Sequence, residues 1–262
     1  MQLQTFFEEL WRDFVTIAPQ ASAIAHRLQE LGEPVENDHV AFRTFNQGPL
    51  ALEQLESVLQ QLGYTAFDEY RFQQKKLRAR AYRREGWPRI FLSELLVEQL
   101  DAPSRSIVQR CINAVDARRL GAPTAFWAGR LWPALSYGEY DQLSRNSEYA
   151  AWLCALGLRP NHFTVSINAL KQLTTVEAVL EFVERAGYSI NESGGRVKGT
   201  RAVRLEQGAT QADRVEVEFS DGPRVIPTCY YEFALRHPDD SGQLYEGFVT
   251  ESADRIFEST HR

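Results

Sequence analysis

Two histidines hold the same place in two similar stretches, Asp38-His39-Val40-Ala41-Phe42-Arg43-Thr44-Phe45 and Asn161-His162-Phe163-Thr164-Val165-Ser166-Ile167-Asn168. A duplicated unit that aims one histidine from each copy at a shared centre supplies two ligands of a metal site from a single design. Strand parity decides what joins them. His39, Ala41, Arg43 and Phe45 share one face of the first stretch. His162, Thr164, Ser166 and Asn168 share one face of the second, backed by Phe163, Val165 and Ile167. Small polar side chains beneath a histidine describe a pocket wall better than a packed core. Near the end of the chain Thr228, Tyr230, Glu232, Ala234 and Arg236 alternate with Cys229, Tyr231, Phe233 and Leu235. Glu232 thus lies deep in an aromatic strand, where a lone carboxylate is costly and needs a cation. His39, His162 and Glu232 make a 2-His-1-carboxylate set, the usual ligation of non-haem Fe(II), which leaves positions open for substrate and O2.

Other residues are placed around this set by the same reasoning. Glu94, in Ile90-Phe91-Leu92-Ser93-Glu94-Leu95, is read as the first-copy counterpart of Glu232: a fourth ligand, a group supporting a ligand, or a salt-bridge residue. Ser166 and Tyr230 point by parity into the space of the histidines as pocket-lining residues. Arg236 is expected to pair with Glu232 or Glu94, or to lie outside the mouth. His26 falls opposite an apolar helical stripe, and His237 and His261 read as solvent-exposed. The basic run Arg71, Lys75, Lys76, Arg78, Arg80, Arg83, Arg84 reads as a solvated strand face rather than a phosphate strip.

The elements that must position these groups follow from periodicity. Leu3, Phe6, Phe7, Leu10, Phe14 and Ile17 form a helical stripe that Pro19 interrupts, and Ile24, Leu28 and Leu31 resume it before Gly32. Residues 33–95 read as one β-α-β-β-β module. It has a strand from Val35 to Phe45, a helix carrying Leu52, Leu55, Leu59 and Leu62 that Gly63 closes, and strands over Asp68 to Ala81 and Arg89 to Leu95. Residues 156–236 repeat the scheme. The strand Asn161 to Asn168 leads to a helix capped by Thr174 with Glu177 at capping-box spacing and closed by Gly187. Strands over Arg196 to Glu206 and Arg214 to Phe219 are then joined through Gln207-Gly208-Ala209. Asp221-Gly222-Pro223 turns the chain into a last strand, Val225 to Leu235. Between the modules, residues 96–155 are a helical insertion with Ile107, Cys111, Ile112 and Val115 on one stripe and Trp152, Leu153 and Leu156 on another. Residues 1–32 form a helical cap and 237–262 a tail. With no low-complexity linker, the whole reads as a single compact α+β domain over 1–262.

Bulk properties narrow the partners. At 44% apolar residues there is ample material for a large core. A net charge of −6 repels phosphate backbones and anionic membranes, so no nucleic-acid or membrane partner is expected. The N-terminal residues lack signal-peptide character, and no stretch nears the ~18 apolar residues of a membrane span, so a cytoplasmic location is expected. Cys111, Cys154 and Cys229 have no metal or disulfide spacing and read as buried thiols.

The chain resembles the DUF1338 family, described as 2-oxoadipate dioxygenase/decarboxylase or 2-hydroxyglutarate synthase, a branch of the vicinal oxygen chelate superfamily. The resemblance rests on His39-Val40-Ala41-Phe42-Arg43-Thr44, Pro88 to Leu95, Ser147-Glu148-Tyr149-Ala150-Ala151-Trp152, Asn161-His162-Phe163-Thr164, Ile226-Pro227-Thr228 with Tyr231-Glu232-Phe233, and Ala253 to Thr260. It runs from near residue 35 to the C-terminus, in a chain shorter than the long family members. It implies paired modules forming a partly closed barrel. It also implies an Fe(II) enzyme that converts a 2-oxo dicarboxylic acid, 2-oxoadipate, with O2 to 2-hydroxyglutarate and CO2 late in lysine degradation. By the family pattern His39, His162 and Glu232 bind the metal and Arg43 holds a substrate carboxylate, a role suited to a planar two-pronged donor. Arg43 as a structural salt bridge is the plain alternative. Two other functions fit the scaffold: a glyoxalase-like isomerase or lyase using Zn2+, Ni2+ or Mn2+ as Lewis acid, which ligation by Glu94 would favour, and a non-catalytic metal-binding protein. The segment Phe257 to Thr260 belongs to the resemblance without a physical role.

Overall fold

The computed structural model describes residues 1–249; the expectations for Phe257 to Thr260 and for His261 lie outside the described residues. Helix α1 (Leu3–Ile17) ends where Pro19 removes a donor, and α2 (Pro19–Glu30) begins on that proline at its first position. Both helices lie behind the sheet: Trp11 and Phe14 meet Phe163 with ring centroids 5.1 Å apart in each case. This is the apolar backing face that parity assigns to Phe163.

The first module is β1 (Asn37–Phe45), α3 (Leu52–Gln61), β2 (Thr65–Phe72), β3 (Leu77–Arg83) and β4 (Arg89–Leu95). The sequence stretch read as one strand from 68 to 81 is two, because the chain turns between Phe72 and Leu77 with Lys76 at φ +57°. Residues 96–159 hold α4 (Ala102–Asn113), α5 (Tyr137–Asn146) and α6 (Glu148–Leu156). The second module runs β5 (Pro160–Ser166), α7 (Val176–Arg185), β6 (Lys198–Thr200), β7 (Leu205–Ala209), β8 (Arg214–Phe219), β9 (Gly222–Pro227) and β10 (Tyr230–Arg236). The helix is capped by Thr175, whose hydroxyl accepts from Ala178 N–H, one residue beyond the expected Thr174. Gly63 and Gly187 close α3 and α7 at φ +82° and +94°, the left-handed end that glycine tolerates.

Eight strands form one sheet in the order β2-β3-β4-β1-β5-β10-β7-β6. Each half has its first strand at the centre and its last strand parallel beside it, and the halves join antiparallel through β1 and β5. The second half departs from the sequence expectation in one consequential way. The segment from 225 to 235 is not continuous: β8 and β9 pair as a separate hairpin, and β10 is paired on its far side by β7, which contains Gln207-Gly208-Ala209. These three residues, read as a turn, are core strand. A Cβ at Gly208 would stand 2.7 Å from Leu180 and 2.9 Å from Val176, so glycine there serves the close approach of α7 to the strand.

Candidate metal centre

The central β1–β5 pairing sets His39 opposite Thr164 and Ala41 opposite His162. The histidines are diagonal neighbours across the seam, their ring centroids 5.5 Å apart. On the next strand Glu232 lies beside Thr164, two residues along from the Tyr230–His162 pair. One ligand atom from each of His39, His162 and Glu232 falls within 4.8 Å of the others, and all three residues are buried.

Each histidine is oriented by the residue before it. His39 Nδ1 lies 2.7 Å from Asp38 Oδ1, and since a carboxylate only accepts, the nitrogen is the donor. His162 Nδ1 lies 3.1 Å from Asn161 Oδ1 in the same way. Both Nε2 atoms are therefore left for the centre. His39 Nε2 sits 3.1 Å from Thr164 Oγ1 and 3.4 Å from Glu232 Oε1, and Gln207 donates to that same Oε1 at 2.7 Å. The His162 ring stacks on Tyr230 at 4.7 Å.

The electrostatics of the two imidazoles differ. Burial drives His162 down to about 3, outweighing the pull of Glu232, so this ring is neutral with a free lone pair. Burial acts on His39 too, but hydrogen bonds and charge from Asp38 and Glu232 prevail and raise it. Glu232 is lowered despite burial, since the His39 hydrogen bond and charge and the Gln207 hydrogen bond stabilise its carboxylate. Its other oxygen, Oε2, has no partner among the described residues. A buried carboxylate with an open oxygen beside two inward imidazole nitrogens fits a divalent cation of the N/O-liganded kind.

Arg43 lines the same cavity, fully buried, with its guanidinium 5.0 Å from the ring centroids of both Tyr149 and Trp152. These aromatics are three apart on α6, which is fixed by Tyr149 O–H donating to Ser93 O and Trp152 Nε1 donating to Thr228 O. Helix α6 of the insertion thus packs against the modules and holds Arg43 from behind, while the cavity itself is lined from the strands and from Phe248 and Val249. Phe91 and Phe248 supply apolar lining, and the Phe248 ring stands edge-on to His39 at 4.9 Å. The enclosed space is about 30 Å³, room for little more than a water. Arg43 also lines an outer basin of about 280 Å³ with Lys75, Lys76 and Arg145.

Glu94 takes the salt-bridge alternative on the far side from the cavity: it accepts from Leu52 N–H at the start of α3 and from Arg78 Nε at 2.7 Å. Four expectations are corrected. The first-copy counterpart of Glu232 is Phe91, which pairs with Ala41 as Glu232 pairs with Thr164. Ser166 is outside the cavity lining, because the antiparallel seam puts it near Glu36 at the end opposite Arg43. His237 is not solvated but bonds Glu206 at 2.7 Å. Tyr230 does line the cavity, and its hydroxyl has no partner among the described residues. Arg236 pairs with Asp38 rather than with either glutamate. Gln207 was missed because its stretch reads as a turn. Asp38 and Asn161 were legible in the repeat itself, as polar residues at the same place before each histidine.

A half-barrel of two βαβββ modules, with one histidine from each copy and a carboxylate from the second, has a vicinal oxygen chelate-like fold. A structure from Ralstonia eutropha, provisionally named a glyoxalase-superfamily protein, shares it at a TM-score of 0.79 and 22% identity, over 94% of this chain and 85% of that one. The chain matches the 2-oxoadipate dioxygenase/decarboxylase family over residues 7–125 and again over 122–240, and it belongs to that family. A relative from Arabidopsis thaliana named 2-oxoadipate dioxygenase/decarboxylase, chloroplastic, is 32% identical across 98% of this chain and 78% of its own length. The structure of a hydroxyglutarate synthase from Oryza sativa in complex with 2-oxoadipate superposes with a TM-score of 0.91 at 32% identity, covering 98% of this chain and 91% of that one. A structure from Shewanella frigidimarina, provisionally named a hydrolase, is 42% identical with a TM-score of 0.90, over 95% of this chain and 98% of that one.

Proposed function

We propose that this protein converts 2-oxoadipate and O2 to 2-hydroxyglutarate and CO2, with His39, His162 and Glu232 holding Fe(II). The observation that carries this reading is the buried two-histidine, one-carboxylate cluster sharing a cavity with Arg43. When bound, Fe(II) supplies the O2 and electron chemistry, and the protein's share is positioning and charge. Arg43 binds a carboxylate of the acid through its paired donors, its plane set by Tyr149 and Trp152. The positive outer basin favours an anionic substrate at the mouth. The Tyr230 hydroxyl offers a donor within the cavity, and Phe91 and Phe248 give it an apolar wall. Glu94, whose ligation would have favoured a Lewis-acid isomerase, is engaged on the other face.

The family's relatives and the rice complex support the substrate class. We also place the reaction late in lysine degradation and in the cytoplasm. Among the described residues no helix is long and apolar enough to cross a membrane. The test is an oxygen-electrode assay on protein purified without chelator and loaded anaerobically with Fe(II). The expected result is one O2 consumed and one CO2 released per 2-oxoadipate. Full iron occupancy without O2 uptake on any 2-oxo dicarboxylic acid would overturn the reading.

A further inference from the structure

Arg236 directs its guanidinium at two different things. Nε and Nη2 donate to the two oxygens of Asp38 at 2.7 and 2.8 Å, a two-pronged ion pair in which both partners are buried. Nη1 donates to the carbonyls of Tyr245 and Gly247 at 2.9 and 2.8 Å. Asp38 in turn holds His39 Nδ1, and the segment that Arg236 grips carries Phe248, whose ring lies 5.3 Å from the guanidinium and 4.9 Å from the His39 ring. The segment is also held through Glu246, which pairs with Arg83 and lies 3.8 Å from Arg89, and by two neutral bonds, Phe248 N–H donating to Tyr70 Oη and Tyr245 N–H to His237 O. The second copy has no counterpart, because His162 is backed by the neutral Asn161.

We propose that Asp38 and Arg236 are positioning residues that couple metal retention at His39 to the seating of residues 245–248 over the cavity. Asp38 fixes the His39 ring so that Nε2 faces the centre, and its charge makes that nitrogen a better donor to a cation. Arg236 is the bonded counter-charge of Asp38, with Arg89 farther off at 3.7 Å, and its remaining nitrogen joins the Glu246 ion pairs in keeping the segment down. Coupling of this kind is reciprocal: a bound metal holds the segment, and a seated segment holds the metal. The inference rests on the metal reading of the His39, His162 and Glu232 cluster but uses no turnover. It therefore fails separately from the choice of 2-oxoadipate.

The probe is Co2+, with its dissociation constant measured by chelator competition and amide hydrogen exchange followed at residues 245–248. In the wild type, saturating Co2+ should slow exchange of these amides. Asp38→Asn should weaken Co2+ binding by roughly 10- to 100-fold, the usual loss when an outer partner of a ligand is removed. It should also abolish the effect of Co2+ on exchange. Asn161→Ala should weaken Co2+ by less than Asp38→Asn and leave the exchange response in place. Because Asp38→Asn strands a buried guanidinium, the double variant Asp38→Asn with Arg236→Gln is read by the same two measurements if the single variant fails to fold. A folded variant that binds Co2+ within about twofold of wild type would overturn the proposal. So would a wild type whose 245–248 amides exchange equally with and without Co2+.

Discussion

The two halves of the sheet are built alike and furnished differently. Each presents a histidine from its central strand, preceded by a polar residue that takes the Nδ1 hydrogen. Beside that strand, at matching register, the first half places Phe91 and the second Glu232. Four residues past the histidine the first half places Arg43 inside the cavity, and the second places Ser166 at the far end of the seam. The backing of the histidines differs as well, with a charged Asp38 on one side and a neutral Asn161 on the other. Symmetry thus brings the two imidazoles together, and broken symmetry makes the centre chemically usable. A second carboxylate at Phe91 would fill the coordination and crowd the cavity with negative charge. A second arginine would place two cations beside a metal. On the proposed function, one half holds the substrate's charge through Arg43 and the other completes the ligand set through Glu232.

The comparison can be broken most directly at Glu232. Glu232→Gln removes the second half's contribution and should lower bound metal from one equivalent to below about a tenth, beyond the roughly 10–100-fold loss of an outer partner. O2 uptake should fall to background, both read by metal analysis and the oxygen electrode. A sharper test moves the carboxylate across the seam. With Phe91→Glu added to Glu232→Phe, the glutamate occupies the equivalent register of the first half. Metal binding should return to within about tenfold of wild type if the halves are equivalent around the cluster, as measured by chelator competition. No recovery would show that register alone does not define the site.

Arg43→Lys keeps the charge but loses the paired donors and the packing between Tyr149 and Trp152. It should reduce kcat/KM by roughly 10- to 100-fold, about 1.4 to 2.8 kcal/mol, while leaving metal content unchanged. Ser166→Ala, at the same repeat position in the other half, should change kcat/KM by less than about twofold, since it touches no part of the cavity. The smallest effect concerns the tie between the halves. Glu33, just before the first module, accepts backbone N–H bonds from Lys171, Gln172 and Leu173 ahead of α7. Burial opposes its charge, but those three donors prevail and lower it. Its contribution is therefore complete above the unfolded carboxylate value of about 4.3 and is lost as pH falls through the lower folded value. Glu33→Gln should depress the unfolding midpoint by roughly 2–6 °C at pH 7. The difference from wild type should shrink in acid, as followed by thermal melts across pH.

Much of this comparison is legible in the sequence. The repeat exposed His39 and His162, and parity placed Arg43 and Tyr230 on their side and Phe163 on the other. Parity failed where it was applied across strands rather than along one. Glu94 was matched to Glu232 by its place in a last strand, but pairing depends on register, and register puts Phe91 there. Ser166 was matched to Arg43 by repeat, yet an antiparallel seam carries equivalent positions to opposite ends. Gln207 was hidden because Gln-Gly-Ala has turn composition, and only the packing of α7 against Gly208 explains a glycine in that strand. The aromatic pair Tyr149 and Trp152 carried a usable signal, two rings at three-residue spacing on a helix, but nothing local says which side chain lies between them.

By itself the sequence determined the duplication, the alternation along each strand, and the types of the candidate ligands, because these are local properties of residue order and spacing. The tertiary structure decided which strand lies beside which, and with that the choice of Phe91 over Glu94 as the empty counterpart of Glu232. It also decided the pairing of Arg236 with Asp38, two residues 198 positions apart whose charges meet only after the last strand has closed beside the fifth. The physical reason is the same in each case. Periodicity fixes the direction of a side chain within its own strand, whereas register and ion pairing are set by the packing of segments that the chain brings together from afar.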